Sequence, residues 1–191
     1  MYIFVPISTV KDKTMSLLHL PTTETATDEV KEIFEEIEKA FGSVPNGISL
    51  WSANPKALRA QWESIKQVLA KDPDTQKLHT MIRYLVSNEG ECTYCIGFNG
   101  GMLMNFFGMT EETLKELRTK PSSAPLNEKN KALLVFAMKS IVDAKGVNEA
   151  DIELMKQLGI TEMEMFDIVH AAAHMLVVNT LFKTFKVEQD F

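Results

Sequence analysis

Apolar residues return every three or four positions along almost the whole chain, the period of helices with one buried face. Val30, Ile33, Phe34, Ile37 and Phe41 form the first such stripe, with Thr27 or Asp28 placed to cap it and Gly42 to end it. Val44-Pro45-Asn46-Gly47 reads as a turn. Asn54-Pro55, a cap followed by a first-turn proline, opens a helix carrying Leu58, Trp62, Ile65 and Leu69. Asp72-Pro73-Asp74 breaks the chain. Leu78, Met81, Ile82, Leu85 and Val86 then mark the buried side of a third helix, which stops near Gly90. A fourth runs from about Cys92 to Gly108, and Thr110 caps a short fifth. After a loop at 120–126, Asn127 opens a helix to Lys145, which Gly146 closes, and Asn148 opens another to Leu158. The last begins with a Thr161/Glu164 capping box and runs to about Lys186.

Strand-like alternation is nearly absent. Only residues 2–7 look extended, and Pro6 keeps them out of a central strand. The pattern predicts an all-α fold of stacked antiparallel helix pairs. Residues 1–20 are expected to be an N-terminal extended arm, packed on a neighbouring subunit, and residues 21–191 a single domain. FGMTEETLKEL (107–117) echoes LGITEMEMFDI (158–168), which hints at a duplicated helical unit.

Composition narrows the partners. The chain has 191 residues, 45% of them hydrophobic and 24% charged, which fits one soluble domain with a real core. A net charge of -6 and the lack of a basic run argue against nucleic acid or an anionic membrane as partner. The apolar start MYIFVPISTV is too short to span a bilayer and lacks the layout of a signal peptide. Two cysteines do not make a disulfide framework, so a cytoplasmic protein with reduced thiols is the expectation. Eleven Met and eleven Phe suggest an adaptable core or apolar contact surfaces.

Both cysteines, Cys92 and Cys95, stand in NEGECTYCIGFNGGML (88–103). Positions i and i+3 of a helix share a face, so the two thiols can close a disulfide within one turn. The Gly90-Glu91 break places Cys92 near a helix N-terminus, where unpaired N–H groups and the helix dipole favour a thiolate. Glu89 and Glu91 act in the opposite direction, since nearby like charges raise a thiol's pKa. A zinc site needs two more ligands, and only His79 lies close in sequence. The bland alternative is a pair of small buried residues in a tightly packed, glycine-rich helix. His170 and His174, at i and i+4, have the spacing of two metal ligands but no evident third, so they read as a packed or subunit-contact pair. No metal or other cofactor is expected. Trp51 and Trp62 read as core or interface anchors. Phe98, Met102, Met104, Phe106 and Phe107 read as core, with some lining an apolar pocket. His19 is expected to do no chemistry.

The stretch LVSNEGECTYC resembles the CxxC signature of the alkylhydroperoxidase AhpD-like proteins, within the carboxymuconolactone decarboxylase family. TATDEVKEIFEEIEKAFGSVPNGISLWSANPKAL is similar to the family's N-terminal region, and EKNKALLVFAMKSI and DIELMKQLGITEMEMFDIV to its C-terminal half. The likeness covers about residues 21–186. It implies an all-α homo-oligomer, a trimer or hexamer, that reduces hydroperoxides. Carried over, Cys95 attacks the peroxide and becomes a sulfenic acid, Cys92 resolves it as a disulfide, and a dithiol such as a lipoyl group reduces the pair.

The match fails at the proton relay. The family's glutamate falls on Thr80 and its histidine on Asn99, and neither titrates near neutral pH. His79, Glu89 or Glu91 could supply a replacement base, and Tyr94 a hydrogen bond. The expected function is therefore a thiol redox protein that reduces hydroperoxides or exchanges disulfides through Cys92 and Cys95. The alternative is a non-catalytic helical oligomer that senses redox state or binds a small apolar ligand. The decarboxylase branch does not depend on a CxxC pair, so that pair argues against it.

Overall fold

The computed structural model describes residues 16–190, which contain nine α-helices and no strand. The extended stretch expected at 2–7 lies outside the described residues. The helices are α1 (Asp28–Phe41), α2 (Asn46–Ser49), α3 (Pro55–Leu69), α4 (Pro73–Glu89), α5 (Thr93–Asn105), α6 (Glu111–Thr119), α7 (Glu128–Val142), α8 (Glu149–Gln157) and α9 (Glu162–Thr184). Most starts follow their caps. Asn54 and Asp72 each accept a backbone N–H of the first turn ahead of a proline, and Thr161 and Glu164 close a reciprocal capping box. Two helices end earlier than their apolar pattern: α5 stops at Asn105, and α7 stops at Val142 before a 3-10 turn at Ala144–Gly146. The predicted turn at 44–47 is instead the start of α2, which runs on into a 3-10 turn at Leu50–Ala53.

The main core lies where α4, α5, α7 and α9 meet. Leu78, Met81, Ile82, Leu85 and Val86 of α4 are all buried there, each stabilising the fold by about 1.5–3 kcal/mol. A second cluster joins α1 to α3 through Ile33, Phe34, Ile37, Leu58 and Trp62. Trp62 is not purely apolar: its Nε1 donates to Glu36 Oε2 at 2.6 Å. Trp51 packs against both clusters. The sequence echo proves to be a shared connector. Gly108 and Gly159 adopt left-handed φ values of 64° and 71°, a buried Met109 or Ile160 follows, and Thr110 or Thr161 caps the next helix.

The connection from α4 to α5 places the cysteines. Glu91 N–H donates to Asn88 O and Cys92 N–H to Ser87 O, the two bonds of a Schellman motif. The left-handed residue of that motif is Glu91, at φ 50°. Gly90 has ordinary φ and is needed for space: a Cβ there would lie 2.5 Å from Asn179 Nδ2. Asn179, buried on α9, donates to Val86 O at 3.1 Å and accepts from Ser87 Oγ at 3.3 Å. Lys183, one turn further along α9, donates to Gly90 O at 2.7 Å.

Gly90→Ala should therefore destabilise the protein by about 1–3 kcal/mol through overpacking. In an Asn179→Ala background the same change should cost distinctly less, because the clashing amide is gone. Denaturant unfolding of the four proteins checks both statements, and equal costs in the two backgrounds would contradict the contact.

Candidate active site

Cys92 is the N-cap of α5, and its Sγ accepts the backbone N–H of Cys95 at 3.4 Å. Cys95 follows one turn later, and the two sulfurs lie 2.6 Å apart. Both are reduced and almost fully buried. At that separation the pair holds its second proton far more tightly than its first. The Cys92 thiol is pulled down to about 7. The main cause is the hydrogen bond from Cys95, joined by the Cys95 amide and the charge of Lys183, while burial opposes them. Cys95 is pushed well above the ordinary thiol range, first by the sulfur it faces and then by burial, with Ser87 pulling weakly the other way. Within the pair, Cys92 is the sulfur placed to carry negative charge, since it accepts the Cys95 amide at the start of α5. Glu89 and Glu91 both face solvent, and neither is among the groups that set the thiols' acidity.

The two relay positions hold structural hydrogen bonds. Thr80 is buried on α4, donates to Gln76 O at 2.8 Å and accepts from Arg83 Nη2 at 3.1 Å. Asn99 is buried on α5, and its Nδ2 donates back to Cys95 O at 2.8 Å. His79 is half-buried and held down at about 4 by burial and by the cations Arg83 and Lys71, so it is a poor base at neutral pH. The Tyr94 hydroxyl does not serve the thiols. It donates to Asp190 Oδ2 at 2.6 Å and accepts Gly47 N–H at 3.0 Å, and burial pushes its pKa up.

A cavity of about 110 Å³ opens beside Cys95, between the α1–α3 unit and the main core. That is room for a small organic molecule or several waters. Its wall is largely apolar, with Trp51, Phe98, Met102 and Met175 prominent. The polar side chains on it are Gln61, Arg83, Tyr94, Cys95 and Asn99. Cys92 and His79 do not line it, so of the two thiols only Cys95 meets the space a ligand would fill. Trp51 is thus a cavity wall as well as a packing anchor, and Phe98 and Met102 fulfil the expectation of an apolar pocket. Phe106 instead stands exposed.

His170 and His174 do not act together. His170 is exposed and stacked on Phe166, while His174 Nε2 lies 2.8 Å from Gln61 Oε1 and its ring stacks on Trp51. No cluster of three metal-binding side chains occurs among the described residues. Sequence reasoning missed Ser87, Asn179 and Lys183. Ser87 had a signal, since Thr80, Arg83 and Ser87 recur at helical spacing as polar positions along an otherwise apolar stripe. The other two lie about ninety residues from the cysteines and carry no local signature.

Solved structures share this arrangement of helices. A peroxidase-related protein with an alkylhydroperoxidase AhpD core, from Ralstonia eutropha, aligns with a TM-score of 0.77 at 23% identity over 93% of each chain. A peroxidase-related protein from a Silicibacter species aligns with a TM-score of 0.76 at 23% identity over 95% of each chain. The debrominase Bmp8, as a Cys-to-Ala variant in complex with 2,3,4-tribromopyrrole, aligns with a TM-score of 0.66 at 18% identity over 90% of each chain. No protein-family model matches the chain, and no curated protein matches it by sequence. The likeness defines an all-α fold of the AhpD-core type.

Titration of the reduced protein, followed by thiolate absorbance, should show one thiolate with a midpoint near pH 7. The thiolate is lost below that pH and fully present above it. No second thiolate should appear in the ordinary thiol range of about 8–9. Cys95→Ala removes the hydrogen bond to Cys92 and should raise the midpoint toward about 8.5. A wild-type midpoint already at that value would contradict the assignment of charge.

Proposed function

We propose that the protein is a thiol redox protein of the AhpD-like type, which reduces organic hydroperoxides or exchanges disulfides through Cys92 and Cys95. The observation that carries this reading is the division between the two sulfurs: Cys92 accepts the Cys95 amide at the start of α5, and Cys95 faces the cavity.

The division supplies a base where the relay residues are missing. The Cys92 thiolate takes the proton of Cys95 across 2.6 Å, and the Cys95 sulfur attacks the terminal oxygen of ROOH. The O–O bond breaks, Cys95 becomes a sulfenic acid and RO⁻ leaves, taking a proton from water. Cys92 gives the proton it took from Cys95 to the hydroxide so formed, its thiolate attacks the sulfenic sulfur, and the Cys92–Cys95 disulfide forms as hydroxide leaves and takes a proton from solvent to become water. An external dithiol of the lipoyl kind then returns two electrons and two protons. Disulfide exchange needs only the thiolate and so depends even less on a relay.

Assembly belongs to the same reading. α9 leaves Met163, Phe166 and Val177 largely exposed along one side, as a homo-oligomer of the trimer or hexamer kind would use. Reduced thiols of this sort suit the cytoplasm.

Mixing reduced protein with cumene hydroperoxide and following the Cys92–Cys95 disulfide by mass spectrometry tests the peroxidase step. The disulfide should form about 100-fold faster than a free thiol reacts at the same pH. Cys95→Ser should abolish the reaction. Cys92→Ser should leave a slower reaction that stops at the Cys95 sulfenic acid. A wild-type rate no better than a free thiol would remove peroxide reduction and leave disulfide exchange to be measured with a lipoyl disulfide.

A further inference from the structure

Arg83 lies on α4 between Thr80 and Ser87 and contributes to the wall of the cavity. Its Nε is buried and has no hydrogen-bond partner. Among the described residues, the hydroxyl of Thr80, a neutral group, is the partner of its guanidinium, through Nη2 at 3.1 Å. The ion pairs among those residues involve Arg59 and five lysines, and Arg83 is in none of them. Burial lowers its pKa only to about 10, so it stays charged at neutral pH. Nor does its charge serve the sulfurs, since Lys183 is the cation that acts on Cys92.

Arg83 is half-buried with its Nε shut away from solvent, and a partly desolvated guanidinium without a counter-charge carries a cost that falls when an anion meets its planar fork of donors. A carboxylate fits that fork with two parallel hydrogen bonds. The rest of the wall asks for something apolar, with Trp51, Phe98 and Met175 around the same space.

We propose that the cavity binds a small organic acid, with its carboxylate on Arg83 and its apolar body against Trp51, Phe98 and Met175, beside Cys95. Resting on the redox reading of the site, this makes the substrate a hydroperoxide or disulfide that carries a carboxylate.

Benzoate and benzamide are probes of one shape that differ in charge. Isothermal titration of the reduced full-length chain should show benzoate binding at least tenfold tighter than benzamide. Arg83→Gln should lose that preference, and Arg83→Lys should keep part of it. Benzoate no tighter than benzamide on the wild-type protein, binding of neither included, overturns the proposal whether or not the variants fold. Undiminished benzoate binding by folded Arg83→Gln overturns it as well. The titration involves no turnover. A protein that fails the peroxide assay can still pass it, and a fast peroxidase for neutral hydroperoxides can still fail it.

Discussion

The hydrogen bond from Cys92 N–H to Ser87 O is the constraint on which the site depends. It closes α4 and fixes the residue that starts α5, so the register of the second helix is set by the end of the first. One consequence is that Cys92 falls at the N-cap, where its sulfur meets the Cys95 amide. Another is that Cys95 falls one turn on, against the same sulfur. The junction requires a non-glycine residue, Glu91, in the left-handed region, at a cost of about 1 kcal/mol. Asn179 and Lys183 offset it from outside. Four residues apart on α9, they bind Val86 O and Gly90 O, so the longest helix of the fold clamps the turn that holds the thiols.

That clamp also explains why the sulfurs differ. Two thiols at i and i+3 of an isolated helix would be nearly equivalent. Here Cys92 has the helix N-terminus and Lys183 on its side, whereas Cys95 has the cavity. A thiol with a pKa near the ambient pH combines a high thiolate fraction with good nucleophilicity, because nucleophilicity falls as the pKa falls further. The hydrogen bond between the sulfurs and the Cys95 amide lower the first ionisation of this pair toward that optimum. A relay of Glu and His would be a separate means to the same end, and Thr80 and Asn99 can instead serve as hydrogen-bonded parts of the core.

Much of the fold was legible because its signals are local. Asn54-Pro55, Asp72-Pro73 and the Thr161/Glu164 box name their helix starts, and the apolar stripe of α4 names its buried side. The start of α2 was not legible. Four residues carry no periodicity, and Gly47 is there for a tertiary reason, since a Cβ would strike the rings of Tyr94 and Phe182. The cysteine pair was visible from its spacing and the pull of the helix N-terminus on Cys92 from the Gly90-Glu91 break, but the contribution of Lys183 was not, because it approaches from the far end of the chain. Tyr94 shows the same limit. Its place between the cysteines suggested a donor to them, yet Asp190 accepts its proton.

The choice between a working site and a merely structural pair turns on what an oligomer scaffold would gain from these residues. A helix packed for stability alone would do best with apolar side chains at positions 83, 92 and 95, since buried charge costs more than it returns unless paired. This chain instead places a guanidinium with an orphaned Nε and a dithiol that ionises near neutrality around one apolar cavity. Local departures from good packing that converge on a single space mark function more often than accident. Both the guanidinium and the dithiol would be destabilising in a dry core, and both become useful when a small molecule enters beside Cys95.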